Sequence, residues 1–129
     1  MKKIIIFVIM AAMLFGCTAK ESKNTYNQIS MAEAVSMMEN ETDYIILDVR
    51  TAEEFEEKHI PGAINIPNEE IGTEKIESLP DKEAIILVYC RSGNRSKQAS
   101  EKLAGLGYTN IYEFGGINDW KGKTVSGKD

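Results

Sequence analysis

Short apolar runs alternate with amphipathic segments along most of this chain, which is the pattern of strands separated by helices. The runs that predict strands covered on both faces lie at residues 44–47, 64–66, 85–89 and 110–114. Helical segments are predicted from residue 31, around Phe55, weakly at 69–78, at 96–106 and as a last turn at 117–121. This alternation predicts an α/β fold with a parallel sheet.

Capping signals support three of these helices. Glu33 follows Ser30 by three residues and Glu54 follows Thr51 by three, which is the spacing of a capping box at a helix start. Gly107 follows the helical pattern at 96–106, where a glycine commonly closes a helix. We therefore expect helices to begin after both capping residues and to end before this glycine.

The N-terminus has the layout of a secretory signal. Lys2 and Lys3 precede an apolar stretch at residues 4–15, which at about 12 residues is too short to span a bilayer. Residues 14–17 resemble the lipobox of bacterial lipoproteins, in which the cysteine, here Cys17, is lipidated and becomes the mature N-terminus. Phe15 is bulkier than the residue usual at its position. An uncleaved anchor and ordinary secretion are the alternatives.

One domain is expected after this signal. The predicted organisation is a signal peptide at 1–17, a flexible polar tether at 18–25, a domain at 26–122 and a polar tail at 123–129. About 110 residues bury roughly 65% of their unfolded surface, which suffices for a core. The predicted location is the bacterial cell envelope, with the domain outside the cytoplasm and held to the membrane by the lipid on Cys17.

Charge argues against nucleic-acid binding. The chain has 15 basic and 20 acidic residues, a formal net charge of -5. Without Lys2 and Lys3 the balance is 13 basic against 20 acidic residues, or -7. Clustered positive charge in the predicted domain lies at Arg91, Arg95 and Lys97, a patch that suits a small anion rather than a polynucleotide.

Cys90 follows the strongest predicted strand and opens a loop that leads into a helix. Ligands of open α/β sheets bind beyond the carboxyl ends of the strands, where this residue lies. Gly93 can adopt positive φ, so that the backbone N–H groups of the loop can converge on one point. Arg91 and Arg95 flank that point, and together with the helix N-terminus they favour a thiolate and a bound anion. The alternative, a cysteine that merely packs, does not account for this loop composition.

Five separated motifs stand out along the chain: DVR at 48–50, EF at 54–55, HIPGAINIP at 59–67, CRSGNRS at 90–96 and GGINDW at 115–120. In their order and spacing, these motifs resemble the single-domain members of the rhodanese family. One departure is Lys58, where many members carry glycine before the histidine. The resemblance implies a rhodanese-like three-layer α/β domain, in which a parallel sheet is flanked by helices.

The resemblance also implies a sulfurtransferase that works through a persulfide on Cys90. The sulfur would come from a small anionic donor such as thiosulfate or from a persulfide, and would pass to cyanide, a small thiol or a protein thiol. The residues implied in binding the donor and holding the persulfide are Arg91, Ser92, Gly93, Asn94, Arg95 and Ser96. Neither a metal nor an organic cofactor is implied.

Two other functions compete with this one. Phosphatases and arsenate reductases also place a cysteine in an anion-binding loop that ends in arginine, but cysteine phosphatases have one residue more between the two than the four found here. A sulfur carrier or binding module of the same fold, acting without turnover, is the second alternative.

The polar residues next to this loop are interpreted as structural. Arg50 is expected to pair with Glu53 or Glu54 and so to secure the helix that follows it. His59 belongs to a turn, and Trp120 is expected to close the core.

Overall fold

The computed structural model describes residues 25–128. The predictions for the signal peptide, for Cys17 and for nearly all of the tether lie outside these residues. Within them, no helix combines the length and the hydropathy that crossing a membrane requires.

In the part of the chain that the structure describes, five strands form one parallel sheet. They are β1 (Asn27–Gln28), β2 (Tyr44–Asp48), β3 (Ile64–Asn65), β4 (Ile85–Cys90) and β5 (Asn110–Gly116). Their order across the sheet is β1-β5-β4-β2-β3, and every neighbouring pair is parallel. The predicted α/β fold is therefore confirmed. The long strands β4 and β5 lie side by side near the middle, so their carboxyl ends share one edge of the sheet.

Helices cover both faces of this sheet. They are α1 (Met31–Asn40), α2 (Ala52–Glu57) and α3 (Asn94–Gly105), with short 3-10 helices at Asn68–Glu70 and Ile117–Asp119. Ala99 and Leu103 of α3 pack on one face against Val88, whereas Ala34 of α1 and Phe55 of α2 pack on the other. These two cores give the expected three layers.

The predicted helix caps are confirmed. Ser30 accepts a hydrogen bond from the Glu33 N–H, and the Glu33 carboxylate accepts one from the Ser30 N–H; the same exchange joins Thr51 to Glu54. At the end of α3, Gly107 has φ +101 and its N–H donates to the Ala104 carbonyl. This is the close of a Schellman motif, which a glycine allows without a Cβ clash.

Two features differ from the prediction. The weak helix at 69–78 is wrong beyond the 3-10 turn at Asn68–Glu70, because Gly72 and Thr73 are poor helix formers and the buried Ile71 and Leu79 hold the segment to the core instead. The edge strand β1 was missed because its two residues are polar and exposed, and its place depends on backbone pairing with β5.

Candidate functional site

Cys90 ends β4 at the carboxyl edge of the sheet. The residue is 1% exposed, and its Sγ accepts a hydrogen bond of 3.0 Å from the Gly93 N–H. Gly93 is the N-cap of α3 and has φ +118, which confirms the predicted left-handed glycine. The loop therefore curls back so that a backbone donor and the N-terminus of α3 both face the sulfur, an arrangement that stabilises negative charge there.

The first turn of α3 carries no acidic residue. By contrast, α1 has Glu33 in its first turn, and α2 has Glu53 and Glu54. A carboxylate in the first turn partly neutralises the positive end of a helix. Because α3 lacks one there, the positive end of this helix remains available to Cys90 and to an anion bound beside it.

A buried polar pair lies behind the sulfur. Ser96 Oγ is 3.4 Å from Cys90 Sγ and 2.5 Å from Glu113 Oε2, and Glu113 is only 3% exposed. A hydroxyl has one proton to donate, and its shortest contact is with this carboxylate. Ser96 therefore donates its proton to Glu113 and can accept a hydrogen bond from the Cys90 thiol. The hydrogen bond donated to the sulfur comes from the Gly93 N–H.

Glu113 was not among the predicted site residues. It lies on β5 two residues after the buried Ile111, so strand alternation places its side chain on the same face. Its Oε2 also accepts a 3.0 Å hydrogen bond from the Gly115 N–H, which ties the end of β5 to the back of the loop. A lone acidic residue at an inward position of a predicted strand was the signal that could have revealed it.

The two arginines of the loop face a carboxylate from another helix. Arg95 makes a bidentate contact with Glu54 of α2, at 2.7 and 3.1 Å, and Arg91 Nη1 lies 3.8 Å from the same carboxylate. The Arg95 hydrogen bonds lower the pKa of Glu54 to about 2, and the same contact raises the pKa of Arg95. The Arg91 side chain is 66% exposed, whereas that of Arg95 is 32% exposed. Glu54 was predicted to cap α2 and to be one of two possible partners of Arg50, whereas its ion pair with Arg95 was not predicted.

The other polar side chains of the loop and of the start of α3 are exposed to solvent. Ser92 and Asn94 are exposed, and Lys97 is exposed on α3. Of the predicted loop residues, Gly93 and Ser96 lie within hydrogen-bond distance of the Cys90 sulfur, whereas the side chains of Arg91, Ser92 and Asn94 are exposed.

The end of β5 fixes the base of the loop. From Val88 to Cys90 on β4, β5 advances from Glu113 to Gly116, so β5 contains one extra residue. This irregularity brings Gly116 so close to the loop that an added Cβ would lie 2.0 Å from the Arg91 carbonyl oxygen. A larger residue does not fit there without moving the loop.

Arg50 does not pair with Glu53 or Glu54, so that prediction was wrong. Its guanidinium binds Asp48 at 2.7 Å and the Lys58 carbonyl at 2.7 Å, and both charged side chains are buried. Asp48 can pair with Arg50 because it lies two residues earlier in the chain, at the end of β2. Through Lys58, at the end of α2, the pair still secures that helix, as expected.

His59 and Trp120 occupy structural positions, as predicted. The His59 ring stacks on Phe55 with centroids 3.7 Å apart, and its Nδ1 lies 2.8 Å from the Phe55 carbonyl oxygen. Trp120 packs against the core that α1 and α2 share and donates its indole N–H to the Lys123 carbonyl. Across residues 25–128, no three His, Cys, Asp or Glu side chains are grouped as the ligands of a metal ion would be.

Comparison with known proteins agrees with this geometry. The chain is 41% identical over 73 residues to the thiosulfate sulfurtransferase PspE of Escherichia coli, a match that spans 57% of this chain and 70% of that protein. It is 33% identical over 97 residues to the thiosulfate sulfurtransferase GlpE of Coxiella burnetii, spanning 74% of this chain and 88% of that protein.

A solved structure also resembles this chain in fold and sequence. A rhodanese with anions from E. coli superposes with a TM-score of 0.60 at 40% identity and covers 65% of this chain and 99% of its own. The family model for the rhodanese-like domain matches residues 30–123. That match includes the sheet from β2 to β5, all three helices and the Cys90 loop, and so this chain belongs to the rhodanese-like domain family.

Proposed function

We propose that this protein is an envelope-located sulfurtransferase that carries a sulfane sulfur on Cys90 between a small anionic donor and a thiophilic acceptor. The observation that carries the proposal is the Gly93 N–H, 3.0 Å from Cys90 Sγ at the start of α3. A thiolate needs such a donor, and so does the persulfide anion that replaces it.

With thiosulfate as donor, the reaction takes two displacements. The Cys90 thiolate attacks the outer sulfur, a new S–S bond forms, and the S–S bond of thiosulfate breaks so that sulfite leaves with the electron pair. Cyanide or a thiolate then attacks the outer sulfur of the persulfide, and the bond to Cys90 breaks to restore the thiolate. Arg91 and Arg95 hold the anionic donor beside the thiolate, since both lie at the loop and carry positive charge.

The first prediction concerns Cys90 itself. Wild-type protein incubated with thiosulfate should gain about 32 Da in intact-mass spectrometry, the mass of one sulfur, and should then form thiocyanate repeatedly when cyanide is added. Cys90→Ser should show neither the added mass nor turnover, because a hydroxyl is a poor nucleophile toward sulfur. The proposal fails if this variant retains full activity.

The same experiment separates the alternatives. A sulfur carrier without turnover would release one thiocyanate per Cys90 and then stop. A phosphatase or arsenate reductase would leave thiosulfate untouched and would act on a phosphate ester or on arsenate. The two thiosulfate sulfurtransferases matched above favour the proposed function over a phosphatase or arsenate reductase.

The envelope location rests on the sequence of residues 1–17. A basic start, an apolar stretch and Cys17 at a lipobox-like position support export and lipidation. Intact-mass spectrometry of protein isolated from membranes would show the lipid on Cys17 together with the state of Cys90. A native protein that begins at Met1 without lipid would refute anchoring through a lipid on Cys17.

A further inference from the structure

We infer that Glu54 is a built-in competitor for the anion-binding arginine Arg95, and that it thereby determines which sulfur donors the site accepts according to their charge. The inference rests on the proposed sulfurtransferase function and assigns a specificity-determining role to a residue outside the Cys90 loop.

The geometry of the pair is that of a bound oxyanion. Two nitrogens of the Arg95 guanidinium donate to the two carboxylate oxygens of Glu54, at 2.7 and 3.1 Å. This planar, two-point contact is how arginine binds carboxylates and other oxyanions. An incoming donor must therefore displace the carboxylate or bind beside it, where Arg91 is the more exposed cation.

The carboxylate is held in place from its own helix. Glu54 Oε1 also accepts hydrogen bonds from the Thr51 N–H, at 3.0 Å, and from the Thr51 hydroxyl, at 3.1 Å. The capping box of α2 thus fixes Glu54 before any donor arrives. Its ionised state is secure at neutral pH, because the pKa of Glu54 is lowered to about 2.

Charge then decides between donors. Glu54 reduces the charge of the group that it forms with Arg91 and Arg95 from two positive charges to one. A dianionic donor loses twice as much attraction through this reduction as a monoanionic donor does, because the interaction energy scales with the donor's charge. Glu54 therefore disfavours small dianions relative to donors of lower charge.

Glu54→Gln removes the charge while keeping the cap. Glutamine serves as well as glutamate at the third position of a capping box, so α2 should form normally. The matched control is Glu33→Gln, which makes the same change in the capping box that Glu33 forms with Ser30 at the start of α1. Both variants change the net charge equally, and only Glu54 contacts the arginines of the loop.

The experiment compares thiosulfate, a dianion, with methanethiosulfonate, a monoanion that also transfers its terminal sulfur with a sulfur oxyanion as the leaving group. The rate of Cys90 persulfide formation is measured by the 32 Da gain for each donor. Glu54→Gln should raise the thiosulfate rate about threefold more than the methanethiosulfonate rate, the size expected for one partly exposed charge. Glu33→Gln should leave the ratio of the two rates at the wild-type value.

A second readout does not depend on sulfur transfer. Sulfate is a dianion without a sulfane sulfur, so it can bind at the site but cannot transfer sulfur. Its binding should slow the alkylation of Cys90 by neutral iodoacetamide at constant ionic strength. In Glu54→Gln, half-maximal protection should occur at about threefold lower sulfate concentration than in wild type. If wild-type Cys90 takes sulfur from neither donor, the proposed function fails, and the sulfate measurement alone decides the role of Glu54.

The effect should also depend on Arg95. In an Arg95→Gln background, adding Glu54→Gln should change the ratio of the two donor rates less than it does in wild type, because the arginine for which the carboxylate competes is absent. Equal changes for both donors with no shift in sulfate protection, or a selective loss of the thiosulfate rate in Glu54→Gln, would overturn the inference.

Discussion

Among residues 25–128, two groups lie within hydrogen-bond distance of the Cys90 sulfur. The Gly93 N–H donates to the sulfur, and the Ser96 hydroxyl is directed away from it by the Glu113 carboxylate. The guanidinium groups of Arg91 and Arg95 face the Glu54 carboxylate of α2 instead. In the proposed function, the backbone therefore stabilises the sulfur anion, whereas the two arginine side chains recognise the donor.

The ion pair of Glu54 and Arg95 predicts a pH-dependent contribution to stability. The pKa of Glu54 is about 2 in the folded protein, against an ordinary value of 4.5. A lowered folded-state pKa means that the pair stabilises the fold above pH 4.5, and that this contribution is lost as the pH falls from 4.5 toward 2.

The melting temperatures of wild type and Glu54→Gln, measured across this range, test the prediction. Wild type should exceed the variant above pH 4.5, and the difference should shrink below it. A difference that stays constant down to pH 2 would show that the ionised carboxylate gains nothing from its contacts with Arg95 and Thr51.

Among the elements, β5 does the most to shape the site from outside the loop. It supplies Glu113 behind the sulfur, and its extra residue positions Gly116 under the Arg91 carbonyl, to which the Asn118 N–H also donates, at 3.1 Å. The β4 strand ends in Cys90, and β5 sets the position of the loop that follows it.

Gly116→Ala should therefore displace the loop. A Cβ at this position would lie 2.0 Å from the Arg91 carbonyl oxygen. We expect a loss of about 1–3 kcal/mol in the free energy of unfolding, as for other overpacked sites, and slower persulfide formation. Gly72→Ala is the matched control, since no atom lies within 4 Å of its added Cβ. Denaturant unfolding and the persulfide assay would test both variants, and equal behaviour of the two would contradict the prediction.

Sequence patterns predicted these elements where the signal was local. The strand at 85–89, both capping boxes and the glycines at 93 and 107 depend on neighbours within a few residues, and all were recovered. The helix predicted at 69–78 did not form beyond its first turn, because the segment has low helix propensity and because the buried Ile71 and Leu79 hold it to the core.

The parts of the site that escaped prediction depend on distant contacts. Glu54 meets Arg95 across 41 positions of the chain, and Glu113 meets Ser96 across 17. No local pattern encodes such pairs. Arg50 shows the same limit. Asp48, Glu53 and Glu54 are all close to it in the sequence, and the structure shows that Asp48 is its partner.

In the whole molecule, the C-terminal segment reaches back to α2. Val125 forms two backbone hydrogen bonds with His59, at 2.8 and 2.9 Å, and the Gly127 N–H donates to the Glu56 carbonyl, at 2.8 Å. These contacts lie next to the helix that carries Glu54. The end of the chain thus helps to hold the carboxylate opposite the loop.

Removing residues 125–129 should lower the stability of the whole domain. Three backbone hydrogen bonds are lost, and at roughly 0.5–1.5 kcal/mol each the expected loss is about 2 kcal/mol after partial replacement by water. Chemical denaturation of the truncated and full-length proteins measures this loss. Replacing Lys128 by alanine is the control that keeps the backbone, and a truncated protein as stable as this control would contradict the prediction.

Cys90 is only 1% exposed, and this burial also limits the size of the molecules that can react with its sulfur. A loaded sulfur extends the side chain by about 2 Å, the length of one S–S bond. We therefore expect wide thiols to reach the loaded form more readily than the empty one. The empty cysteine would then be shielded from mixed disulfides, and in a compartment that oxidises thiols this shielding would keep the protein ready for the next sulfur.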